Sequence, residues 1–230
     1  AGYLHGMAKS PDHPLRPSHP LNRIDRRVAT ARAALRTLSR FAPRTTARVA
    51  EAMFVKTSRP APRADEAEWL ATANRFSVRA AGQSIAGYQW GESGPVVVFA
   101  HGWWSHAGRF APMAQAALAN GMRAVAFDAP GHGRSTGWRA TMPEFAAALR
   151  AVGDHHGPLH AVVGHSLGGA ASVFALARGL DAARAVIIAA PADLASWAVR
   201  FRDTFGIPAG VYARMQRNME RRLAMTWQDL

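Results

Sequence analysis

Hydrophobic and polar positions along the chain change their period part-way. Between residues 22 and 56 apolar side chains recur every three or four positions. Val28, Ala31, Leu35, Leu38 and Ala42 form one stripe, which Val49, Met53 and Phe54 continue. That spacing is the face of a helix. Pro43 interrupts it, so the pattern predicts two helices, over 22–42 and 44–56. Arg32, Arg36, Arg40, Arg44 and Arg48 recur every four residues along another face. TSRPAPRA (57–64) reads as a linker, and a short helix is predicted over 65–73.

From residue 76 the pattern is that of strands. FSVRA (76–80) and SIAGYQW (84–90) predict an antiparallel pair. PVVVFA (95–100), MRAVAF (122–127), LHAVVG (159–164) and AVIIAA (185–190) are apolar without alternation. Strands buried on both faces read this way. Helices are predicted between them. One covers 109–119 and stops at Asn120-Gly121. One covers 142–152, opened by a Thr141-x-x-Glu144 capping box with Pro143 in its first turn. A Gly/Ala-rich one ends near Ala177. Strands alternating with helices predict an α/β fold, a mostly parallel sheet flanked by helices. Residues 191–230 show no strand pattern. Trp197, Phe201 and Phe205 mark one amphipathic helix there, and Tyr212, Met215, Met219 and Leu223 a second. Such stripes fit ordinary core faces or a helical cap over a site at the strand ends. The predicted organisation is a disordered lead (1–20), a helical arm (21–75), an α/β core (76–190) and a helical cap or lid (191–230).

Composition narrows the function. Of 230 residues, 49% are hydrophobic and 19% charged, as in globular chains. The absence of Cys excludes disulfides, thiolate metal sites and a cysteine nucleophile. No apolar run approaches the roughly 18 residues that span a bilayer. The N-terminus lacks the apolar core of a secretory signal, so a cytoplasmic location is expected. The net charge is +13, and residues 1–60 hold 12 Lys/Arg against 3 Asp/Glu. A solvated helix face is the plainer account of that charge. The functional one is weak peripheral contact of the basic N-terminal helices with an anionic membrane. A nucleic-acid partner is not expected.

The chemistry begins at VVGHSLGG (162–169). An apolar strand runs into Gly164-x-Ser166-x-Gly168, and small residues follow. A nucleophilic serine is presented in this way, on a sharp strand-to-helix turn where bulky neighbours would clash. HGWW (101–104) ends the first buried strand, and DAPGHGRS (128–135) follows the next. An oxyanion hole needs two backbone N–H groups aimed at one point. Those of Leu167 and Trp103 are the candidates. His101 reads as a histidine that holds its loop, and Asp128–Ser135 as a rigid loop beside the site.

HGWW, DAPGHGRS and GHSLGG, in this order, resemble the strand-end motifs of the α/β-hydrolase superfamily. The resemblance covers about residues 76–191. It implies Ser166 as nucleophile, an oxyanion hole at Trp103 and Leu167, and a helical cap after the sixth strand. It also implies a triad in the order Ser, Asp or Glu, His. The family places the last two after the seventh and eighth strands, and no residue here matches either. Of the ten histidines, His101, His106 and His132 lie nearest to the predicted site. The simplest account is a fragment. It begins with Ala, with Met7 as one possible true start, and it stops before two strands. The sixth strand is then expected to be an exposed edge, and the fragment alone is expected to be inactive.

The expected activity is hydrolysis of carboxylic esters through an acyl-enzyme at Ser166. Trp104 and Trp197 are candidates for lining an apolar substrate pocket, and the expected partner is a small ester with an apolar group. No metal or organic cofactor is implied. Alternatives on the same fold are acyl transfer, thioester hydrolysis and haloperoxidase-like chemistry. A non-catalytic binding protein of hydrolase-like fold is an alternative of another class.

Overall fold

The computed structural model describes residues 21–229. The predicted lead over 1–20 lies outside the described residues. Eight helices and six strands are described: α1 (Leu21–Phe41), α2 (Pro43–Val55), α3 (Ala64–Ala71), β1 (Asn74–Ala80), β2 (Gln83–Trp90), β3 (Val96–Ala100), α4 (Ala111–Ala119), β4 (Arg123–Phe127), α5 (Met142–His156), β5 (Ala161–His165), α6 (Leu167–Leu176), β6 (Ala185–Ile188), α7 (Ala195–Phe205) and α8 (Ala209–Leu223). Every predicted strand is present. Thr141 does not cap α5 as a full capping box; its hydroxyl donates to the Glu144 carboxylate at 2.9 Å instead.

The strands form one sheet in the order β1-β2-β4-β3-β5-β6. β2 pairs antiparallel with β1 and β4, and the other four are parallel. From β3 the chain moves outward to β4, then crosses back to β5 on the other side of β3. Strand order therefore reverses at β3 and β5. In open α/β sheets ligands bind in the crevice outside the carboxyl ends of such strands.

Side chains of one strand alternate between two faces. Val96, Val98 and Ala100 of β3 join a core cluster with Phe145, Leu149 and Val152 of α5. Val97 and Phe99 join a second with Phe110 and Ala114. Both faces of β3 are thus covered, which explains its unbroken apolar run. At the two edges lie β1 and β6, and Val186 and Ile187 of β6 are exposed.

The N-terminal and C-terminal helical segments pack on each other. Leu35, Ala47, Ala50 and Val55 of α1 and α2 share a third cluster with Ala198, Val211, Tyr212, Met215 and Met219 of α7 and α8. The N-terminal helices therefore pack on the C-terminal ones, and the four make one layer. Val49 is exposed, because Thr46, Ala47 and Ala50 form the buried face of α2. Small side chains there let α2 approach α8 closely. The predicted linker is also engaged. The Thr57 amide donates to Trp138 O (3.1 Å), and the Ala140 amide to Val55 O (3.0 Å).

Candidate active site

Ser166 is the single residue between β5 and α6. Its φ of 53° and ψ of −125° are uncommon for any side chain but glycine. The turn is held from both sides. The Ser166 amide donates to Ile188 O of β6 (2.9 Å), and Ser166 O accepts from the Gly169 and Ala170 amides (2.9 and 3.1 Å). The flanking glycines are required by space. A Cβ on Gly168 would lie 2.2 Å from Ala100 O, and one on Gly164 would lie 2.6 Å from the Gly169 Cα. Gly169 is constrained as well, with Ala190 Cβ 2.9 Å from its would-be Cβ.

The loop after β3 passes against this turn. A Cβ on Gly102 would sit 2.9 Å from Ser166 Cβ. The next residue is Trp103, whose ring stacks on Phe145 at 6.0 Å and meets His132 edge-on at 5.4 Å. Leu167 opens α6, so its amide has no partner within the helix. Among the described residues no backbone carbonyl accepts from the Leu167 or Trp103 amide.

Three buried histidines surround this loop, and two of them are occupied. His101 Nδ1 faces Gly102 O at 2.7 Å, and its Nε2 accepts from the Ala129 amide at 2.9 Å. His132 Nδ1 faces Pro130 O at 2.9 Å, and its Nε2 accepts from the Trp104 amide at 3.1 Å. With one nitrogen donating and the other accepting, both rings are held neutral. Burial pushes His101 below the ordinary imidazole range. Burial, aided by neighbouring His101, pushes His132 down to about 3. The His132 contact holds Trp104 at a φ of 52°. The third, His106, is lowered chiefly by burial, although Glu66 lies 3.6 Å from its Nε2.

Asp128 organises the loop after β4. Its carboxylate accepts from the Tyr88 hydroxyl and from the Ala107 and Arg134 amides, each at 2.9 Å. Gly133 passes so near that a Cβ there would lie 2.1 Å from Asp128 Cγ. Burial and the Asp128 charge push Tyr88 well above the ordinary phenol range. Asp128 thus spends its oxygens on structure.

Ser166, Leu167 and Trp103 line one apolar cavity of about 180 Å³, with Trp197 of α7 on the same wall. Trp104 does not line it. Its ring is exposed and its Nε1 donates to Lys56 O at 3.3 Å, so the positive φ carries this side chain onto the N-terminal helices. Among the described residues no group of His, Asp or Glu is gathered as a metal site.

The family model described as serine aminopeptidase, S33, matches residues 91–227, from the end of β2 through both C-terminal helices. This chain belongs to that family of α/β-hydrolases. The chain is 43% identical over 82 residues to a monoacylglycerol lipase of Mycolicibacterium smegmatis, covering 32% of this chain and 29% of the relative. It is 33% identical over 147 residues to a bifunctional esterase/perhydrolase of Acinetobacter calcoaceticus, covering 61% of this chain and 52% of the relative. The chain thus spans about half or less of the length of these curated relatives. An esterase structure from Pyrococcus furiosus superposes with a TM-score of 0.54 at 20% identity, over 70% of this chain and 66% of that one. That likeness concerns the fold.

Sequence reasoning missed two parts of the candidate site. Phe54 and Val55 of α2 line the cavity beside Ser166. Arg59, in the supposed linker, donates to Gly133 O, Ser135 O and Gly137 O, each at 2.7 Å. Neither carries a local signal, since the partners lie more than seventy residues away in sequence.

Proposed function

We propose that this hydrolase cleaves carboxylic esters with an apolar acyl group through an acyl-enzyme at Ser166. The observation that carries the reading is the cavity. A serine on a strained strand-to-helix turn shares an apolar wall with two residues whose amides lack backbone acceptors. In this reading Ser166 Oγ attacks the acyl carbonyl carbon. The carbonyl oxygen gains the negative charge, which the Leu167 and Trp103 amides hold. The tetrahedral species collapses, the C–O bond to the alcohol breaks, and the acyl group stays on Ser166. Water then attacks the acyl-enzyme and releases the acid.

The proton of Ser166 Oγ must reach a base and pass to the leaving alkoxide. His101 and His132 are not that base, because both ring nitrogens of each are bonded to backbone. No histidine follows Ser166 in these 230 residues, although the family's triad order puts its histidine after the serine. Relatives named as a lipase and as an esterase support ester chemistry. The perhydrolase half of the second name favours one variation, in which peroxide replaces water as the acceptor and the product is a peracid.

An alkyl fluorophosphonate tests the assignment on the full-length protein. Covalent labelling at Ser166, lost in Ser166→Ala, is the expected result. A folded protein that takes no label, or takes it equally in Ser166→Ala, would overturn the reading.

A further inference from the structure

The α/β core does not enclose the Ser166 cavity by itself. Trp197, Met219 and Trp227 reach it from the C-terminal helices and the turn after them, and Phe54 and Val55 reach it from the end of α2. α2 lies about 110 residues before Ser166 in the chain, outside the matched family segment at 91–227. It is nonetheless a fixed wall. Ala47 and Ala50 bury it against Met215 and Met219. The backbone bond from the Ala140 amide to Val55 O ties its last residue to the segment that enters α5.

Phe54 is the aromatic part of that wall. Its ring meets Phe201 edge-on at 5.1 Å and Trp227 at 6.2 Å, tilted by 60°. Partners on two sides hold the ring in one place, so it presents a stiff surface. The cavity, which is open to solvent on one side, holds about 180 Å³. An apolar cavity of roughly 150 Å³ admits a benzene molecule. The Ser166 cavity therefore buries little more than one ring or about six to eight alkyl carbons, and the rest of a longer chain must leave through its open side.

We infer that the N-terminal helical arm builds part of the acyl pocket and that Phe54 limits the acyl group to medium length. The inference rests on the reading that this cavity receives the acyl group, and it makes Phe54 a specificity-determining residue. Deleting the ring joins its volume to the cavity, and enlarging the ring removes volume from it.

Binding of unreacted esters tests this apart from catalysis. The full-length protein carrying Ser166→Ala is titrated with methyl hexanoate and methyl decanoate, and the tryptophan fluorescence of the cavity reports binding. The hexanoate ester should bind more tightly. Adding Phe54→Ala should shift the ratio of the two affinities about tenfold toward decanoate, and Phe54→Trp should shift it the other way. Phe54→Leu is the milder variant if Phe54→Ala does not fold. Val49→Ala, on the exposed face of the same helix, should leave the ratio unchanged. Folded Phe54 variants that keep the original ratio would overturn the inference, and so would preferred binding of the longer ester by the unmodified pocket. A failed fluorophosphonate experiment with a shifted ratio would remove the nucleophile and leave the pocket.

Discussion

Gly168 and His132 show how single residues hold this site. Gly168 is glycine because two carbonyls at the end of β3 occupy the space of a Cβ, 2.2 and 2.4 Å away. This close approach brings the elbow against the HGWW loop, which is how Leu167 and Trp103 come to share a cavity. His132 acts through its neutral state, accepting from Trp104 and facing Pro130. That state has a pH cost. The folded pKa is about 3, well below the ordinary imidazole value near 6.5. Between those values the unfolded chain binds a proton that the folded chain does not, so stability rises with pH. The contribution is complete above about pH 6.5 and is lost as pH falls toward 3, and burial of His101 acts in the same direction. The melting temperature should therefore fall steadily from pH 7 to pH 4. His132→Gln keeps an acceptor for the Trp104 amide and removes the proton uptake, so its melting temperature should fall less steeply. An unchanged slope in thermal melts would count against His132 as the titrating group.

Elements were legible where their signals are local. The 3–4 period marks α1, α2, α7 and α8, and unbroken apolar runs mark β3 to β6 because these signals lie within a few residues. What elements do to each other was less legible. Val49 fits the periodic stripe by spacing, yet the buried face of α2 is Thr46, Ala47 and Ala50. Small side chains are poor signals of burial in a sequence, and it is the approach of α8 that selects them. The segment after α2 is the sharper case. TSRPAPRA has linker composition, but Arg59 spreads its guanidinium over three carbonyls of the 133–137 loop. That loop adjoins His132, which holds the Trp104 amide. Arg59→Ala should cost about 1 kcal/mol in urea unfolding, since these bonds are charge-assisted but two of the three are solvent-exposed. Amide exchange should quicken over 131–137 with little change in the sheet. Arg59→Lys should not restore protection, because one ammonium lacks the planar fork that reaches three acceptors.

Across the whole molecule, charge and layers coincide. The helical layer, taken as 21–56 and 195–229, holds 15 Lys/Arg against 5 Asp/Glu, most of the net +13. The sequence located this charge mainly in the N-terminal segment, and the packing of α2 on α8 brings the charged N-terminal and C-terminal helices into one layer. Arg36, Arg40, Arg44 and Arg48 are exposed on it, and so is Phe41 at the α1–α2 corner, with 83% of its surface open. None of the described helices is long and apolar enough to cross a membrane. We propose weak peripheral contact of these helices with an anionic bilayer. Co-sedimentation with phosphatidylglycerol vesicles should be weak, should be lost as salt is raised, and should fall in Arg36→Ala/Arg40→Ala/Arg44→Ala/Arg48→Ala. Binding that ignores salt and these substitutions would discount the basic surface. Uncharged vesicles should bind less.

The sequence by itself determined the strands, the helices, the sharp strand-to-helix turn at Ser166 and the family resemblance. Each is written in a period or a short motif whose residues are neighbours in the chain. Only the tertiary structure decided which side chains share space. It put Phe54 and Val55 into the cavity, moved Trp104 out of it, occupied the nitrogens of His101 and His132, and joined the two helical ends into one layer. These outcomes depend on contacts between residues far apart in the chain, where close packing lets one methyl group or one carbonyl decide what fits.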